Sequence, residues 1–552
     1  MPSAACWLAV AFLCFLPQMV RVQIADPDLW GRISVGAVLS QAGHLPRVDD
    51  FSYTANGAPW IDHEWLAGVV FHSVLDTFGE PGLLVLKYAL FMACALLVFL
   101  LHGQVYRVAP IVSAAALVAA SPAYQLGFVA TLRCQAFSFP FTLLFISLLE
   151  AVRLARLRER HLLWLIPAGV LWANLHGGIA MGLLAIGVYG AAALALGRVR
   201  TALAMLALLP ALAIALALLN PYGLTYLDFL FEAWTLDRTG VSEWQPLFAG
   251  GLHSANAVGA ACAGLGAVLG GLGLFAAARR RFGQAAADPT RAEALAPAAL
   301  LLLFVAMTSI SQRLLPFLAL TLAAVLPVFG PLLPGAARFG PRVAARAASL
   351  SRARVAVPVL ALLVLAGAAG WGALSGGRPL FASVLPSERT APGARHFLYP
   401  DGAARFLRDS PYAGRLLNPF SQGEFLYWTL YPRFRVAIDG RFEEVYEREQ
   451  FDEVYAFYHR VDPAHPERVV EFAERSGADV VLFRTFHPGL RVLARAPGWI
   501  TIYRDAAFAL VARREHVEQD SSERAGPERD APASTIGDFF DGDRERFAAY
   551  PR

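Results

Sequence analysis

The sequence contains very little lysine and little charge for its length. Lys87 is the single lysine in 552 residues, and charged residues make up 16% of the chain. Soluble proteins of this size carry roughly a quarter charged residues, so most of the chain is not an ordinary soluble domain. The net charge of +4 is carried by loops and does not indicate a nucleic-acid partner. We therefore use the basic residues to predict membrane orientation.

Cysteine is also scarce, and its distribution excludes two kinds of site. The five cysteines are Cys6, Cys14, Cys94, Cys134 and Cys262. None follows Cys262, so the large C-terminal region contains no disulfide. Their spacings do not match a metal site, and we expect buried thiols. The sequence also has no internal repeat and no glycine-rich phosphate loop.

Long apolar segments dominate what the sequence does contain. Hydrophobic residues make up 57% of the chain, the mean hydropathy is +0.48, and several runs approach the roughly 20 residues needed to cross a bilayer. This pattern predicts a polytopic α-helical membrane protein. Segment 65–78 is too short to cross and is predicted to be an interfacial amphipathic helix. About eleven transmembrane helices are predicted at 4–20, 82–102, 108–121, 136–152, 161–175, 177–196, 202–219, 254–278, 294–309, 314–333 and 355–374.

The arginines orient these helices. With the N-terminus inside, the inside loops hold sixteen arginines and the outside loops up to residue 354 hold six. Because positive charge is enriched on the cytoplasmic side, we predict a cytoplasmic N-terminus. The long first loop, 21–81, then lies outside, as do all polar segments with candidate chemistry.

The composition changes after the last predicted helix. Residues 380–515 alternate helical stretches such as "PERVVEFAERSG" with strand-like runs such as "ADVVLF" and "FALVARR", which predicts a small α/β domain outside the membrane. The tail, 516–552, is charged and rich in serine and proline, and we expect it to be disordered. Residues 1–379 form the predicted transmembrane domain.

Two acids directly follow the first apolar segment, in "ADPDLWGRIS". Carboxylates near the hydrocarbon edge are costly to keep charged and usually serve a site or an ion. We predict that Asp28 is a general base and that Asp26 orients the acceptor or a metal, with Trp30 as an interfacial aromatic. The alternative for Asp28 is a helix N-cap. The acids Asp49 and Asp50 are predicted to be solvated loop residues.

Other polar residues are candidates for the same outer face. Asp62, His63 and Glu64 precede an amphipathic run, where Asp62 fits a helix N-cap and His63 and Glu64 fit either an anchor or a site. "NLHGG" places Asn174 and His176 in a turn between two helices. Both are candidate substrate-binding residues, and a purely structural turn is the alternative. "NPYG" is predicted to be a turn.

Two arginines stand nearly alone among apolar residues at the outer ends of helices. Arg133 and Arg313 lie where positive charge is disfavoured, so we predict that they bind an anionic partner such as a lipid-linked phosphate. Snorkelling toward lipid headgroups is the alternative. The acids of the first loop are either bases for a hydroxyl group or ligands of a divalent cation. In the C-terminal region, Asp439 and Arg441 of "IDGR" are expected to close a turn.

The combination resembles a known family. An inside N-terminus, one helix, acids immediately beyond it and a long first outer loop look like the GT-C superfamily of membrane glycosyltransferases. Five stretches of the sequence look closer still to a group of bacterial multi-pass proteins of unassigned specificity. They are "DPDLWGRISVGAVLSQAGHLPRVDDFSYTANGAPWIDHEW", "WANLHGG", "NPYG", "EWQP" and "NPFSQGEFLYW…IDGR". The resemblance spans about residues 20–510.

The resemblance implies roles for individual acids. In GT-C enzymes the acid after the first helix is the proposed base, which implies Asp28 or Asp26 here. A second acid in the loop assists in several members, and Glu64 or Asp62 is the candidate. The Asp-Pro-Asp sequence departs from the commoner adjacent Asp-Glu pair, which leaves open which acid acts. It also leaves open whether Asp26 and Asp28 bind a divalent cation, Mg²⁺ or Mn²⁺.

We therefore expect a glycosyltransferase of the bacterial inner membrane. It would take a hexosyl or pentosyl group from a polyprenyl-phosphate-linked donor to an envelope acceptor (lipid, glycan or protein) at the periplasmic face. A transporter or flippase of lipid-linked sugars is one alternative, although the chain lacks the repeated halves common in transporters. A non-catalytic envelope-assembly protein is the other.

Overall fold

The computed structural model describes residues 26–124, 132–233, 242–249, 254–281, 294–332, 399–462 and 464–517. The helices predicted at 4–20 and 355–374 lie outside these ranges, as does nearly all of the predicted tail, 516–552. The described residues divide into two compact units. We call 84–332 the helical unit. The first loop and the C-terminal region together, 26–83 and 399–517, form the sheet unit. The predicted domain boundaries at 379 and 515 stay predictions.

Helices account for most of the chain before residue 332. The helices predicted between 82 and 333 all correspond to helical segments, with boundaries shifted by a few residues. The α-helices in this part are α1 (Pro27–Ala42), α2 (Trp65–Leu100), α3 (Pro110–Tyr124), α4 (Gln135–Arg153), α5 (Leu165–Leu175), α6 (Ile179–Ala195), α7 (Val199–Leu206), α8 (Leu208–Leu219), α9 (Leu224–Glu232), α10 (Ser254–Arg281), α11 (Leu295–Ile310) and α12 (Leu315–Phe329).

Among the described residues, five helical segments are long and apolar enough to cross a membrane. They are Trp65–Tyr106, Gln135–Arg153, Val199–Leu219, Ala257–Ala278 and Gln312–Leu332. Three apolar helices, Pro110–Ser121, Ile179–Ala195 and Leu295–Ile310, are shorter. The chain is thus a helical membrane protein, and the total of eleven spans stays a prediction.

Helix α2 is broken near its middle. Gly79 has φ 65° and ψ −165°, outside the helical region, and Pro81 follows it. Glycine tolerates this positive φ without a Cβ clash, and proline cannot donate the backbone hydrogen bond that would continue the preceding turn. The kink therefore separates 65–78, predicted to be a short amphipathic helix, from the predicted membrane helix that begins at 82.

A buried ionic network lies inside the helical unit. The Glu150 carboxylate accepts hydrogen bonds from the hydroxyl groups of Tyr106 (2.7 Å) and Tyr189 (2.6 Å). Arg153 donates to both oxygens of the same carboxylate, at 2.7 and 2.5 Å. A buried charge is tolerated when it is paired and fully hydrogen-bonded. We assign this network to structure, because its polar groups satisfy one another.

The sheet unit contains a five-stranded mixed sheet. In chain order its elements are α13 (Asp401–Asp409), β1 (Gly414–Leu417), α14 (Gly423–Leu430), β2 (Phe434–Val436), α15 (Arg448–His459), α16 (Glu467–Arg475), β3 (Val480–Arg484), α17 (Pro488–Leu493), β4 (Trp499–Arg504) and β5 (Phe508–Arg513). The strand order across the sheet is β2-β1-β3-β5-β4. β1 pairs in parallel with β2 and β3, and β5 is antiparallel to β3 and β4. Four strands occur at the strand-like runs "RVAID", "ADVVLF", "WITIYRD" and "FALVARR" of the sequence, and β1 is an additional strand.

The first loop extends this sheet at the β2 edge. Ser52 pairs in parallel with Val436, and the N–H of Tyr53 donates to the Val436 carbonyl oxygen at 3.0 Å. Backbone groups at a sheet edge need partners, and the loop supplies them here. The loop and the C-terminal region, far apart in sequence, are therefore parts of one folded body.

Candidate functional site

Asp26 caps helix α1, so the alternative interpretation of Asp28 as the N-cap does not hold. Asp26 is extended (φ −68°, ψ 142°), and its carboxylate accepts the backbone N–H of Asp28 at 3.1 Å. Pro27 occupies the first helical position, where proline is favoured because no partner for its missing N–H is needed. The cap is buried. Asp28 is the second residue of the helix, directly after Pro27, and its side chain is half-buried. The helix does not need this side chain as a cap.

Asp28 lies beside a second carboxyl group, that of Glu424 on α14. Asp28 Oδ1 and Glu424 Oε1 are 3.1 and 2.7 Å from the position that a Cβ on Gly440 would take. Any side chain at residue 440 would thus occupy the space between the two carboxyl groups. Glu424 is only 2% exposed, whereas Asp28 is half-buried. The two acids therefore share one small space, and Asp28 is the more accessible member.

Glu424 also contacts the backbone of α1. The Gly31 N–H donates to Glu424 Oε2 at 3.0 Å. A Cβ on Gly31 would overlap the Glu424 carboxyl group and lie 2.5 Å from the Tyr427 hydroxyl oxygen. Residue 31 must be glycine for α1 and α14 to approach this closely. This contact fixes Glu424 relative to Asp28, which lies one turn earlier on α1.

The two acids differ in protonation. Burial, and then the adjacent Asp28 carboxylate, raise the pKa of Glu424 well above its usual value. Arg32 and the Gly31 N–H oppose this shift, and Asp439 adds to it. Two adjacent carboxyl groups cannot easily both ionise, and the more buried one keeps the proton. Glu424 thus keeps its proton to a higher pH than an ordinary glutamate does.

Trp30 is part of the core of the sheet unit, which corrects its predicted role as an interfacial aromatic. Its ring makes edge contacts with Tyr399 and Phe425, with centroids 5.7 and 5.2 Å apart, and it is 4% exposed. These ring contacts pack α1 against the C-terminal region.

The acids Asp62 and Glu64 pair with an arginine on α1. Arg32 Nη1 lies 2.5 Å from Asp62 Oδ1, and Arg32 Nε lies 2.9 Å from Glu64 Oε2. Asp62 also accepts the backbone N–H of Glu64 at 3.1 Å, just before α2 begins. All three side chains are buried. The geometry gives these acids a part in holding α1 against the start of α2, and the role of Glu64 as an assisting acid stays a prediction.

His63 lies between two carboxylates. Its ring nitrogens are 3.6 Å from Glu64 Oε1 and 3.4 Å from Glu444 Oε1. Burial lowers the pKa of His63, but these two carboxylates outweigh burial and leave that pKa above its usual value. Burial likewise raises the pKa of Glu444, and His63 outweighs it, leaving that pKa lowered. His63 thus contacts one carboxylate of the first loop and one of the C-terminal region.

Asp49 is buried rather than solvated, which corrects its predicted exposure. It is 1% exposed and pairs with Arg441 Nη1 at 2.5 Å. Arg441 is also held by Asp439, with Nε and Nη2 at 2.8 and 2.5 Å from the two carboxylate oxygens. The Arg441 N–H donates to Asp439 Oδ1, so the pair closes a turn as predicted. Asp50 pairs with the partly exposed Arg435.

A metal site is not supported by this arrangement. Within the ranges that the structure describes, no group of three or more His, Cys, Asp or Glu side chains is placed to hold a metal ion. Asp26 uses its carboxylate as a helix cap, and Asp439 is fully engaged by Arg441. Asp28 and Glu424 alone do not make the oxygen-rich shell that Mg²⁺ or Mn²⁺ takes. We assign no metal ligand and derive no step through a cation.

In the helical unit, Arg133 and Arg313 meet at one carboxylate. Arg133 Nη1 is 2.5 Å from Glu243 Oε2, and Arg313 Nη1 is 2.8 Å from Glu243 Oε1. Arg313 also lies over the Trp244 ring, 4.9 Å from its centroid. The two arginines thus face a common anion. Glu243 is the first residue of "EWQP", one of the stretches that carry the family resemblance, and the sequence analysis gave Glu243 no role.

The "NLHGG" turn is held by side-chain hydrogen bonds. His176 Nδ1 accepts the Gly178 N–H at 2.8 Å and lies 2.7 Å from Ser138 Oγ. Because Nδ1 accepts, the neutral ring carries its proton on Nε2. Asn174 accepts a hydrogen bond from the Asn220 amide at 3.2 Å, which ties this turn to "NPYG". Substrate binding by Asn174 and His176 stays a prediction.

The sequence analysis gave no role to three residues of these sites: Arg32, Glu424 and Glu243. Glu424 contacts Gly31, 393 positions away. Arg32 and Glu243 pair with residues 30 and 110 positions away. The signal that was available is "GEFLYW", where a lone acid precedes an apolar helix.

The chain was compared with known proteins. It matches no protein-family model and no curated protein. Among solved structures it is similar to the archaeal oligosaccharyltransferase AglB from Archaeoglobus fulgidus in complex with an inhibitory peptide and a dolichol-phosphate. The TM-score is 0.51 at 11% identity, over 93% of this chain and 74% of that chain. ArnT from Cupriavidus metallidurans bound to undecaprenyl phosphate aligns with a TM-score of 0.47 at 15% identity, over 95% and 98% of the two chains.

AglB belongs to the GT-C superfamily of membrane glycosyltransferases. The likeness to AglB is one of fold, and it confirms the predicted GT-C-like fold. This chain has a GT-C-like fold of apolar helices with a small sheet in the C-terminal region.

Proposed function

We propose that the protein is a glycosyltransferase that moves a sugar from a polyprenyl-phosphate-linked donor to a hydroxyl group of an envelope acceptor. The observation that carries the proposal is the pairing of half-buried Asp28 with buried Glu424 in a chain of GT-C-like fold. Adjacent acids whose environments push their pKa values apart are typical of acid–base sites.

Asp28 is the general base in this proposal. Because Glu424 keeps its proton, Asp28 carries the negative charge and can accept a proton from the acceptor hydroxyl. The acceptor oxygen then bonds to the anomeric carbon of the donor sugar, and the bond from that carbon to the phosphate oxygen breaks. The electron pair leaves with the polyprenyl phosphate, and the proton stays on Asp28.

Arg133 and Arg313 bind the phosphate in this proposal. Their guanidinium groups meet at a single anion position in the helical unit. Planar guanidinium groups suit phosphate oxygens, because they donate parallel hydrogen bonds. Such contacts also stabilise the charge that develops on the leaving phosphate.

The proposed location is the bacterial inner membrane, with the N-terminus in the cytoplasm and residues 380–515 in the periplasm. The support is the arginine distribution. Reporter fusions test it: a fusion at residue 450 is expected to give periplasmic alkaline phosphatase activity, and a fusion at residue 345 is expected to give none. The reverse pattern would overturn the orientation.

A transfer assay tests the function. Purified protein in liposomes is given a panel of radiolabelled polyprenyl-phosphate hexoses and pentoses together with envelope membranes as acceptors. Label in the acceptor fraction is the expected result. Label that crosses the bilayer but stays on its carrier would indicate a flippase instead. Label that does neither, with every donor in the panel, would favour a non-catalytic assembly protein.

A further inference from the structure

Glu243 occupies the anion position between Arg133 and Arg313. Each arginine uses its Nη1 on a different oxygen of the carboxylate, at 2.5 and 2.8 Å. The three side chains are between 21 and 32% exposed, so the cluster is open to a ligand. A carboxylate shared in this way occupies the positions that two non-bridging phosphate oxygens would take.

The surrounding contacts bring the arginines to this position from different parts of the chain. Arg133 lies just before α4, and Arg313 lies in the turn between α11 and α12. The Gln312 N–H donates to the Gln245 carbonyl oxygen at 3.0 Å, and the Gln135 amide reaches the Arg313 carbonyl oxygen at 3.3 Å. The first bond attaches the segment that carries Glu243 to the turn that carries Arg313, and the second joins that turn to the start of α4.

Both guanidinium groups of the cluster contact the single carboxylate of Glu243. Burial raises the pKa of Glu243, and Arg313 and Arg133 outweigh burial and leave that pKa below its usual value. Glu243 therefore stays ionised at neutral pH. The polyprenyl phosphate product is a phosphate monoester with about 1.5 to 2 negative charges at pH 7, and the donor is a phosphodiester with a single negative charge, so either can replace the charge of Glu243.

We infer that Glu243 is a resident competitor for the phosphate site, so that a phosphate group must displace this carboxylate from Arg133 and Arg313 to bind. The inference rests on the proposed role of the arginines in phosphate binding. Its consequence is weaker binding of the donor and of the polyprenyl phosphate product. Re-entry of Glu243 after transfer then promotes release of the product.

The test is the affinity of the purified, full-length protein for undecaprenyl phosphate in detergent micelles, with inorganic phosphate as a second probe. Glu243→Gln removes the charge at nearly constant volume. We expect it to bind undecaprenyl phosphate about tenfold more tightly, since a charge-assisted competitor is lost. Tighter binding of both probes indicates a site for any phosphate, and tighter binding of the lipid alone indicates a site that needs the polyprenyl chain.

Control variants distinguish two roles of Glu243: competing with a phosphate group, or holding Arg133 and Arg313 in place. Glu232→Gln, at an exposed acid of the same unit, should leave both affinities unchanged. Arg313→Lys keeps the charge and loses the planar fork, so it should weaken binding. If Glu243→Gln binds the lipid no more tightly than wild type, Glu243 only braces the arginines and the inference is wrong. Glu243→Ala, compared after size-exclusion chromatography, gives the same test if the glutamine variant fails to fold.

This outcome is independent of the transferase assay. Sugar transfer by wild type with unchanged affinity in Glu243→Gln overturns the inference alone. If Glu243→Gln binds undecaprenyl phosphate more tightly but wild type transfers no sugar, the proposed function is overturned. The inference that Glu243 competes with phosphate is then supported. Failure of wild type and variant to bind either probe overturns the phosphate site and the inference with it.

Discussion

The backbone N–H of Gly31 donates a hydrogen bond to the side chain of Glu424, 393 positions further along the chain, at 3.0 Å. This bond joins the helix that follows the first apolar segment to a helix of the C-terminal region. Glu424 is consequently held beside Asp28, the acid that the sequence singles out. The C-terminal region is therefore part of the candidate active site.

The first prediction concerns Gly31. Gly31→Ala places a Cβ where the Glu424 carboxyl group and the Tyr427 hydroxyl group already lie, so α1 must move away from α14. We expect a loss of about 1–3 kcal/mol in stability, measured by thermal unfolding in detergent. Gly187→Ala is the control, because nothing lies within 4 Å of its new Cβ. Equal unfolding temperatures for the two variants would contradict the close contact.

The second prediction separates the two acids of "ADPDLW". Asp28→Asn should reduce transfer by about 10²–10⁴-fold at normal protein abundance, because it removes a general base. Asp26→Asn should keep the helix cap and most activity, because asparagine caps about as well as aspartate. Transfer rates and abundance are measured together. Asp409→Asn, at a side chain that is 69% exposed, is the control. Near-normal transfer by Asp28→Asn would exclude Asp28 as the base.

The third prediction concerns the protonation of Glu424. Burial and Asp28 raise its pKa, so a neutral side chain of the same shape should replace it. Glu424→Gln is expected to transfer sugar within about threefold of wild type at neutral pH, because its amide accepts the Gly31 N–H and donates to Asp28. Glu424→Ala should be less stable by about 1–3 kcal/mol, because it leaves that N–H buried without a partner. If the glutamine variant folds but loses transfer as Asp28→Asn does, Glu424 acts as an ionised base.

The fourth prediction is a pH dependence of stability from His63. Its pKa is raised in the folded protein, so its contribution is complete below its ordinary pKa of 6.5 and is lost as the pH rises through the raised value. Glu444, whose pKa is lowered, contributes above its ordinary pKa of 4.5 and loses its contribution only at lower pH. The His63–Glu444 pair therefore stabilises the fold most between the two ordinary pKa values, 4.5 for Glu444 and 6.5 for His63.

His63→Gln tests this dependence. Between about pH 6 and about pH 9, the unfolding temperature of wild type should fall more than that of His63→Gln, because only wild type loses a proton from the His63–Glu444 pair. His465→Gln, at an exposed histidine, should behave as wild type. Parallel curves for wild type and His63→Gln would show that the pair does not titrate in this range.

The sequence determined the class of this protein. The length of a hydrophobic run indicates a membrane-spanning helix directly, because a bilayer has a fixed thickness. Nine of the predicted helices correspond to helices of the helical unit. The break at Gly79 and Pro81 and four of the five strands were also predictable, because they depend on local propensity and periodicity. The position of Asp28 after the first apolar segment is likewise a local feature.

The tertiary structure decided which residues meet. The N-cap at Asp26 is a local feature that Pro27 at the first helical position signals, but the contacts of these acids are not local. The partner of Asp28 is Glu424, and the anion between Arg133 and Arg313 is Glu243. Both contacts join parts of the chain that are distant in sequence. Such contacts are set by how helices pack on one another, and a single sequence carries no periodic signal for them.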